Sequence, residues 1–420
     1  MNTGKYVFAQ MIEFLPQRVF DGFVAKYEGN KYVKHFTCWN QLLVMMFGQL
    51  ANRDSLRDLI LAIDAHSQKK YHLGFGKNVT RSNLSKANEK RDSKIFEDYA
   101  YYLIDIARKR RANDDFEIEG KVYAFDSSTI DLCLNVFWWA KFRKTKAGIK
   151  LHTLYDITTQ IPAFIHITNA TVNDVNAMDV IPYESDAYYI FDRGYVDFKR
   201  LYNITKHTAY FVIRAKKNLQ FQCTLLKPIN EKNGVMSDQI GKLTGFYISQ
   251  YYPEEIRKVV YYDKETNRTF VYLTNNMELP SDQIALLYKN RWQIELFFKW
   301  IKQHLKIKSF WGTTENAVRI QIYTAVISYC LVAIIENELM INRSTYEVLQ
   351  ILGISLFDKS PIGELFFNKN RNDVKELPSD QLTIKFFRNY RLIGFCEFYG
   401  IFASSLFKGQ KHNLHQVWKN

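Results

Sequence analysis

The apolar positions of this chain change their spacing along its length. From the start to about residue 115 they recur every three or four residues, as at Phe8, Met11, Ile12 and Leu15, which predicts an all-helical unit. Beyond Gly120 solid apolar runs replace that spacing. The segments 122–125, 149–157, 163–167 and 188–191, bounded by polar turns, predict strands. A helix is expected from Phe198, followed by further strands at 210–213, 246–252, 259–262 and 269–273. Pro280-Ser281-Asp282 is a helix start signal for a stretch reaching about Leu305, and helical spacing resumes from Ala317, with breaks near Gly353, Pro361 and Gly394. Three strands in succession, then a helix and a return strand, predict a mixed sheet covered by helices, an α/β domain.

The length of 420 residues exceeds one ordinary core and predicts several packed units. The pattern divides them into a helical unit over 1–115, an α/β domain over 120–345 interrupted by a β-rich insertion at 209–276, and a helical region over 346–420 suited to dimerisation. With 47% hydrophobic and 24% charged residues, the composition is that of a folded globular protein. The formal charge of +14 adds a partner class: polyanions, with nucleic acid first and an anionic membrane surface second. A membrane-spanning role is not expected. The longest apolar stretch, 323–335, is shorter than the roughly 20 residues a bilayer helix needs and reads as a buried core helix. The first residues lack the pattern of a secretion signal. Cys38, Cys133, Cys223, Cys330 and Cys396 are scattered and odd in number, which fits a reducing cytoplasm and argues against a zinc site.

Nucleic acid would meet cations and small polar side chains. In 78–88 a capping residue precedes a helix that begins with Arg, Ser, Asn and Lys, so Arg81 and Lys86 are candidates for phosphate contact, an ordinary solvated helix being the alternative. Arg108-Lys109-Arg110-Arg111 and the group Lys141, Arg143, Lys144 and Lys146 are two further basic clusters.

Candidate chemistry rests on carboxylates. Asp126 directly follows the run 122–125, and Asp192 directly follows 188–191, so both are expected at strand ends. If the strands are neighbours, the two converge. Taken singly, either could be a turn or capping residue. A third group comes from the helix after Pro280. Tyr288, Arg291, Glu295 and Lys302 fall within an arc of about 60° at helical pitch, beside an apolar stripe of Ile294, Phe298, Ile301 and Leu305 that would dock the helix. Routine ion pairs at i,i+4 are the plain alternative for Arg291 and Glu295. Hard divalent cations take oxygen ligands of this kind, with Asp126, Asp192 and Glu295 as the metal-ligand candidates. Trp292, about 40° from Tyr288 on the helical wheel, could stack on a displaced base or pack in the core. His152, Asn173 and Asp174 are also expected near these residues, in supporting or surface roles.

Tyr288-x2-Arg291-x3-Glu295-x6-Lys302 resembles the Y-R-E-K signature of a bacterial insertion-sequence family of DDE transposases, and Asp192-Arg193-Gly194-Tyr195 is similar to that family's second acidic motif. The likeness extends over nearly the whole chain, including Phe14-Leu15-Pro16 and Asn88-Glu89-Lys90-Arg91. The resemblance implies a ribonuclease-H-like catalytic core with a β-rich insertion between Asp192 and Glu295. It implies cut-and-paste transposition by cleavage and strand transfer, with Asp126, Asp192 and Glu295 as the catalytic triad. Two Mg²⁺, replaceable by Mn²⁺, would be bound there, and Tyr288, Arg291 and Lys302 would hold phosphate oxygens. The implied partners are double-stranded DNA, as terminal inverted repeats and as target, and a second copy of the chain in a synaptic homodimer. Such an enzyme would act in the cytoplasm at the nucleoid. A hydrolytic nuclease of the same fold, and a DNA-binding regulator that uses only the basic helices, are the competing functions.

Overall fold

The computed structural model describes residues 4–366 except 78, 112–117, 119, 144–145, 230–232, 305–306 and 308–309. The expectations for 367–420, Lys144, Cys396, Leu305 and the break at Gly394 therefore lie outside the described residues. The described parts of 4–262 and 269–366 pack as one compact unit, and the Asp263–Arg268 turn is grouped outside it.

The N-terminal part is helical, as its spacing predicts: α1 (Val7–Ile12), α2 (Gln17–Lys26), α3 (Cys38–Leu50), α4 (Leu56–Ala65), α5 (Arg81–Lys90) and α6 (Lys94–Arg111). Thr37 caps α3 in a reciprocal box with Asn40, leaving its buried face to form the centre of this part. Then come β1 (Val122–Leu132), β2 (Lys141–Arg143), β3 (Lys146–Asp156), β4 (Ile161–Asn169), β5 (Tyr188–Phe191), α7 (Phe198–Lys206) and β6 (Tyr210–Arg214). These are followed by β7 (Phe221–Leu226), β8 (Val235–Leu243), α8 (Phe246–Tyr251), β9 (Ile256–Asp263) and β10 (Arg268–Thr274). The chain ends, as described, with α9 (Ser281–Asn290), α10 (Trp292–His304), α11 (Glu315–Glu338) and α12 (Thr345–Ser355).

The central strands run in the order β4-β3-β1-β5-β6. The pairs β4·β3 and β3·β1 are antiparallel, whereas β1·β5 and β5·β6 are parallel, with α7 as the crossover between the last two. This order and direction is the ribonuclease-H-like arrangement, so the α/β class is the one observed. Strands β10, β9, β8 and β7 continue the same sheet beyond β6. Tyr210–Arg214 is thus a strand of the central sheet itself, and the added strands begin after it.

Both faces of the sheet are covered, which explains why the strands read as solid apolar runs. Val122 and Ala124 of β1, with Tyr188 and Ile190 of β5, enter the core shared with α10 and α11. Tyr123, Phe125, Tyr189 and Phe191 enter a second core with Phe198, Leu201 and Ile204 of α7. Each buried Phe of this kind stabilises the fold by roughly 1.5–3 kcal/mol. Helix α11 is long and apolar enough to cross a bilayer by length and composition, and 94% of its apolar window is buried inside the fold. It packs against α3, α5, α6 and α12, as a core helix.

Some local expectations fail. Residues 246–252 read as a strand because they are aromatic and β-branched, yet they form α8, with Phe246 and Tyr247 exposed and Gly245 at the N-cap. Strands β7 and β8 were not anticipated, since β7 is exposed along most of its length and carries no alternation. The helix expected from Pro280 to about Leu305 is two helices. At Arg291 the hydrogen bonds Arg291 N–H to Tyr288 O and Ile294 N–H to Arg291 O span three residues instead of four, tightening the turn between α9 and α10.

Each cation of the run at the end of α6 has a carboxylate partner within the fold. Arg108 pairs with Asp156 at 3.0 Å and donates to Tyr123, Lys109 pairs with Asp105 at 2.7 Å, Arg110 with Glu338 and Arg111 with Glu336. Arg108, Arg110 and Arg111 tie α6 to β3 and α11, while Lys109 pairs within α6 and stays exposed.

Candidate active site

Side chains alternate faces along a strand, and that parity sets the geometry here. Phe125 is paired with Phe191 in the last rung of the parallel β1·β5 ladder. Asp126 and Asp192 are therefore the next residues on adjacent parallel strands, on the face of Ala124 and Ile190, which α10 covers. Asp126 is not at a strand end, as the apolar run implied. β1 continues six residues further against β3, with Asp126 opposite Thr153. What ends at Phe125 is the pairing with β5, and that opens the sheet edge where the carboxylate emerges.

Helix α10 docks through Ile294, Phe297, Phe298 and Ile301, all buried, and Phe297 packs at a tilt against Tyr155 and edge-on against Tyr329. This brings Arg291 and Glu295 over Asp126, within β1. Arg291 donates from Nη1 to Asp126 Oδ2 at 3.1 Å and from Nη2 to Glu295 Oε1 at 2.5 Å, so one guanidinium clasps two carboxylates. Tyr288 donates to Asp192 Oδ1 at 3.2 Å. Lys302, about three turns past Arg291, donates to Thr129 O on β1 at 2.7 Å. Trp292 is 43% exposed, which removes core packing as its use.

Electrostatics follow from partial burial. The Asp126 carboxyl is pushed above its ordinary value by desolvation, with the charges of Glu295 and Asp192 adding and the Ser127 N–H and Arg291 opposing. Burial also pushes the Tyr288 phenol up to about 12, helped by Asp192. Desolvation works against the Arg291 charge, but Tyr288, Asp126 and Glu295 outweigh it and hold the guanidinium ionised.

The three carboxylates fit a hard divalent cation in donor chemistry, and the Asp126 carboxyl is raised mainly by its burial, with Glu295 and Asp192 adding to it. Arg291 bridges Asp126 and Glu295, while Asp192 accepts from Tyr288. Among the described residues no three His, Cys, Asp or Glu are set to hold a metal ion as they stand.

The structure brings Asp126, Asp192, Glu295, Tyr288 and Arg291 together and sets Lys302 further along β1. Arg81 and Lys86 lie on the exposed side of α5, capped by Thr80, and do not touch the carboxylates. His152 is fully buried on β3 opposite Ser127, and Asp174 pairs with Lys150 at 3.0 Å. Two contacts escaped the sequence reading. Ser127 N–H donates to Asp126 Oδ1 at 2.8 Å, and the Tyr195 hydroxyl lies 3.4 Å from the same oxygen. Their signal was position alone: one is adjacent to Asp126, and the other is three residues past Asp192.

Comparison with known proteins places the chain in a family. A family model described as a transposase DDE domain matches residues 118–331, and one described as a domain of unknown function (DUF4372) matches residues 3–76. Putative transposase y4zB of Sinorhizobium fredii is 34% identical over 290 residues, covering 67% of this chain and 79% of that protein. The probable transposase for insertion sequence element IS5377 of Geobacillus stearothermophilus is 30% identical over 218 residues, 49% of this chain and 54% of the relative. The putative transposase for insertion sequence element IS4SA of Synechocystis is 28% identical over 270 residues, 62% and 73% of the two chains. The solved piggyBac transposase synaptic complex with hairpin DNA is a looser likeness, with a TM-score of 0.43 and 11% identity over 84% of this chain and 80% of that one.

Proposed function

The chain belongs to the transposase DDE-domain family, and from that premise we propose that it cuts the terminal inverted repeats of its own insertion sequence and joins the freed ends to target DNA. The observation that carries this reading is the clasp: Asp126 and Asp192 emerge side by side from parallel strands, and α9 and α10 supply Tyr288 to one and Arg291 with Glu295 to the other.

Asp126, Asp192 and Glu295 would hold two Mg²⁺, or Mn²⁺ in their place. When bound, such ions supply a Lewis acid and an activated water or DNA 3′-OH for in-line displacement at phosphorus. The chain's own groups prepare that reaction. Tyr288 fixes one oxygen of Asp192 and leaves the other available. Arg291 keeps Asp126 and Glu295 within reach of each other, and its charge draws the scissile phosphodiester inward. Lys302 adds positive potential along β1. Trp292, exposed beside Arg291, offers a flat face on which an unpaired base at the cut end can stack. Arg81 and Lys86 would contact phosphates of the repeat away from the cut. Two copies of the chain would pair the two ends of the element in the cytoplasm, at the nucleoid.

The test uses the full-length chain and DNA carrying the ends that flank its gene. Cleavage and strand joining should require the divalent ion. Asp192→Asn and Glu295→Gln should each lose on the order of 10³-fold in rate while binding the DNA undiminished. Cutting at the ordinary rate by either variant rejects the site. Cleavage without joining favours a hydrolytic nuclease, and binding without metal-dependent cleavage favours a regulator.

A further inference from the structure

Behind Asp126, on the opposite face of the sheet, runs a file of polar side chains in which Tyr195 and His152 are buried and Ser127 and Thr168 half-buried. The Tyr195 hydroxyl lies 2.8 Å from Ser127 Oγ as well as 3.4 Å from Asp126 Oδ1. Ser127 Oγ is bonded to His152 Nδ1, and His152 Nε2 lies 2.8 Å from Thr168 Oγ1. Strand register explains the alignment. Ser127 is directly opposite His152, and Thr168, paired with Lys150, is diagonal to it on the next strand. Tyr195 enters from the short turn after β5, filling the gap left where β5 ends, and so touches both faces of β1 at once.

Such a file is costly filler, because hydroxyls and an imidazole lose water that apolar side chains would not miss. His152 is wholly buried, and desolvation pushes its imidazole down to about 4, so the ring is neutral, with one donor and one acceptor. The file can then run in two senses. In one, Tyr195 donates to Ser127, Ser127 to Nδ1, and Nε2–H to Thr168. In the other, Thr168 donates to Nε2, Nδ1–H to Ser127, Ser127 to Tyr195, and the Tyr195 proton turns to Asp126. The tautomer of one buried imidazole biases whether the Tyr195 hydroxyl turns to the carboxylate, which already accepts from Ser127 N–H and Arg291.

We infer that Tyr195, Ser127 and His152 are positioning residues for Asp126: in the second sense the file holds Oδ1 in place and presents the carboxylate to a divalent cation. This rests on the reading of Asp126 as a metal-binding carboxylate. Partners of metal-binding side chains commonly act in this way, and their loss weakens metal binding while the fold persists.

The experiment titrates Mn²⁺ into the full-length chain and follows the loss of its free-ion paramagnetic resonance signal, with thermal unfolding measured alongside without metal. Tyr195→Phe and Ser127→Ala should bind Mn²⁺ about ten- to a hundredfold more weakly, whereas Ser127→Thr, which restores the hydroxyl, should bind as the parent does. Asp126→Asn should lose the same binding. Parent-like Mn²⁺ affinity in folded Tyr195→Phe or Ser127→Ala overturns the inference even if stability or activity falls. If Tyr195→Phe does not fold, Ser127→Ala against Ser127→Thr decides. Unchanged affinity in Asp126→Asn instead overturns the site assignment beneath it.

Discussion

Arg257, fully buried, and Arg291, half-buried, both bridge carboxylate to neighbouring structure, and they differ in what they leave unsatisfied. Arg257 grips Asp238 through Nε at 2.9 Å and Nη2 at 2.6 Å, while its Nη1 donates to the carbonyls of Asn276 and Leu279. The side chains of that pair are 1% and 2% exposed. It ties β8 and β9 to the segment leading into α9, the helix that carries Tyr288. Arg291 is 14% exposed and divides its donors between Asp126 and Glu295, which are 23% and 34% exposed. One constellation is closed and saturated. The other keeps carboxylate oxygens near water and gathers two negative charges around one cation, with Asp192 on the neighbouring strand, an arrangement that is poor for stability and good for binding a further cation.

The largest effect expected from breaking this comparison is on stability. Arg257→Ala leaves the Asp238 charge buried and alone and should cost about 3–5 kcal/mol, read as a fall in the urea midpoint. Arg291→Ala frees two partly solvated carboxylates and should cost about 1 kcal/mol or less, while its DNA cleavage collapses. Equal destabilisation by the two substitutions would mean that the Arg291 clasp is structural.

A third pair sharpens the contrast through pH. Glu336 is buried beside Arg111, and desolvation raises its carboxyl from 4.5 to about 7 against the pull of Arg111 and the Thr345 hydroxyl. Among the described residues its Oε1 has no hydrogen-bond partner, so a proton is well placed there. The folded chain then holds this proton more tightly than the unfolded chain does. The stabilisation is complete below about pH 4.5, declines as pH rises, and is gone above about 7, with a span on the order of 3 kcal/mol. Urea midpoints at pH 5 and pH 7.5 should differ less in Glu336→Gln than in the parent. An identical pH dependence in both would show that Arg111 keeps Glu336 ionised throughout.

What could be read from the sequence was what local pattern encodes. The apolar runs before Asp126 and Asp192 marked two strands, and the α/β order of elements followed from the change of period. The apolar stripe of Ile294, Phe298 and Ile301 indicated which side of α10 docks. Illegible were features whose cause lies far along the chain. Nothing near Arg108–Arg111 announces Asp156, Glu336 and Glu338 as their partners. The exposed β7 has no two-residue alternation because neither side is well covered, and the aromatic run that became α8 carries strand propensity without a strand's neighbours. The Tyr195 contact depends on where β5 stops, which only the register reveals.

The smallest predicted effect separates two basic clusters that look alike in sequence. Arg81 and Lys86 are exposed on α5 and form no ion pair among the described residues, whereas Arg110 at the end of α6 pairs with Glu338. A cation already neutralised by a neighbouring carboxylate releases few counterions on meeting DNA, so it contributes little to the salt dependence of binding. Each cation that does meet a phosphate contributes roughly 0.9 to the slope of log affinity against log salt. Arg81→Ala and Lys86→Ala should therefore each flatten that slope for an inverted-repeat duplex by about 1 and weaken binding alike across sequences. Arg110→Ala should leave the slope as it was. If Arg110→Ala flattens the slope and Arg81→Ala does not, the DNA runs along the end of α6, and its ion pair opens to receive it.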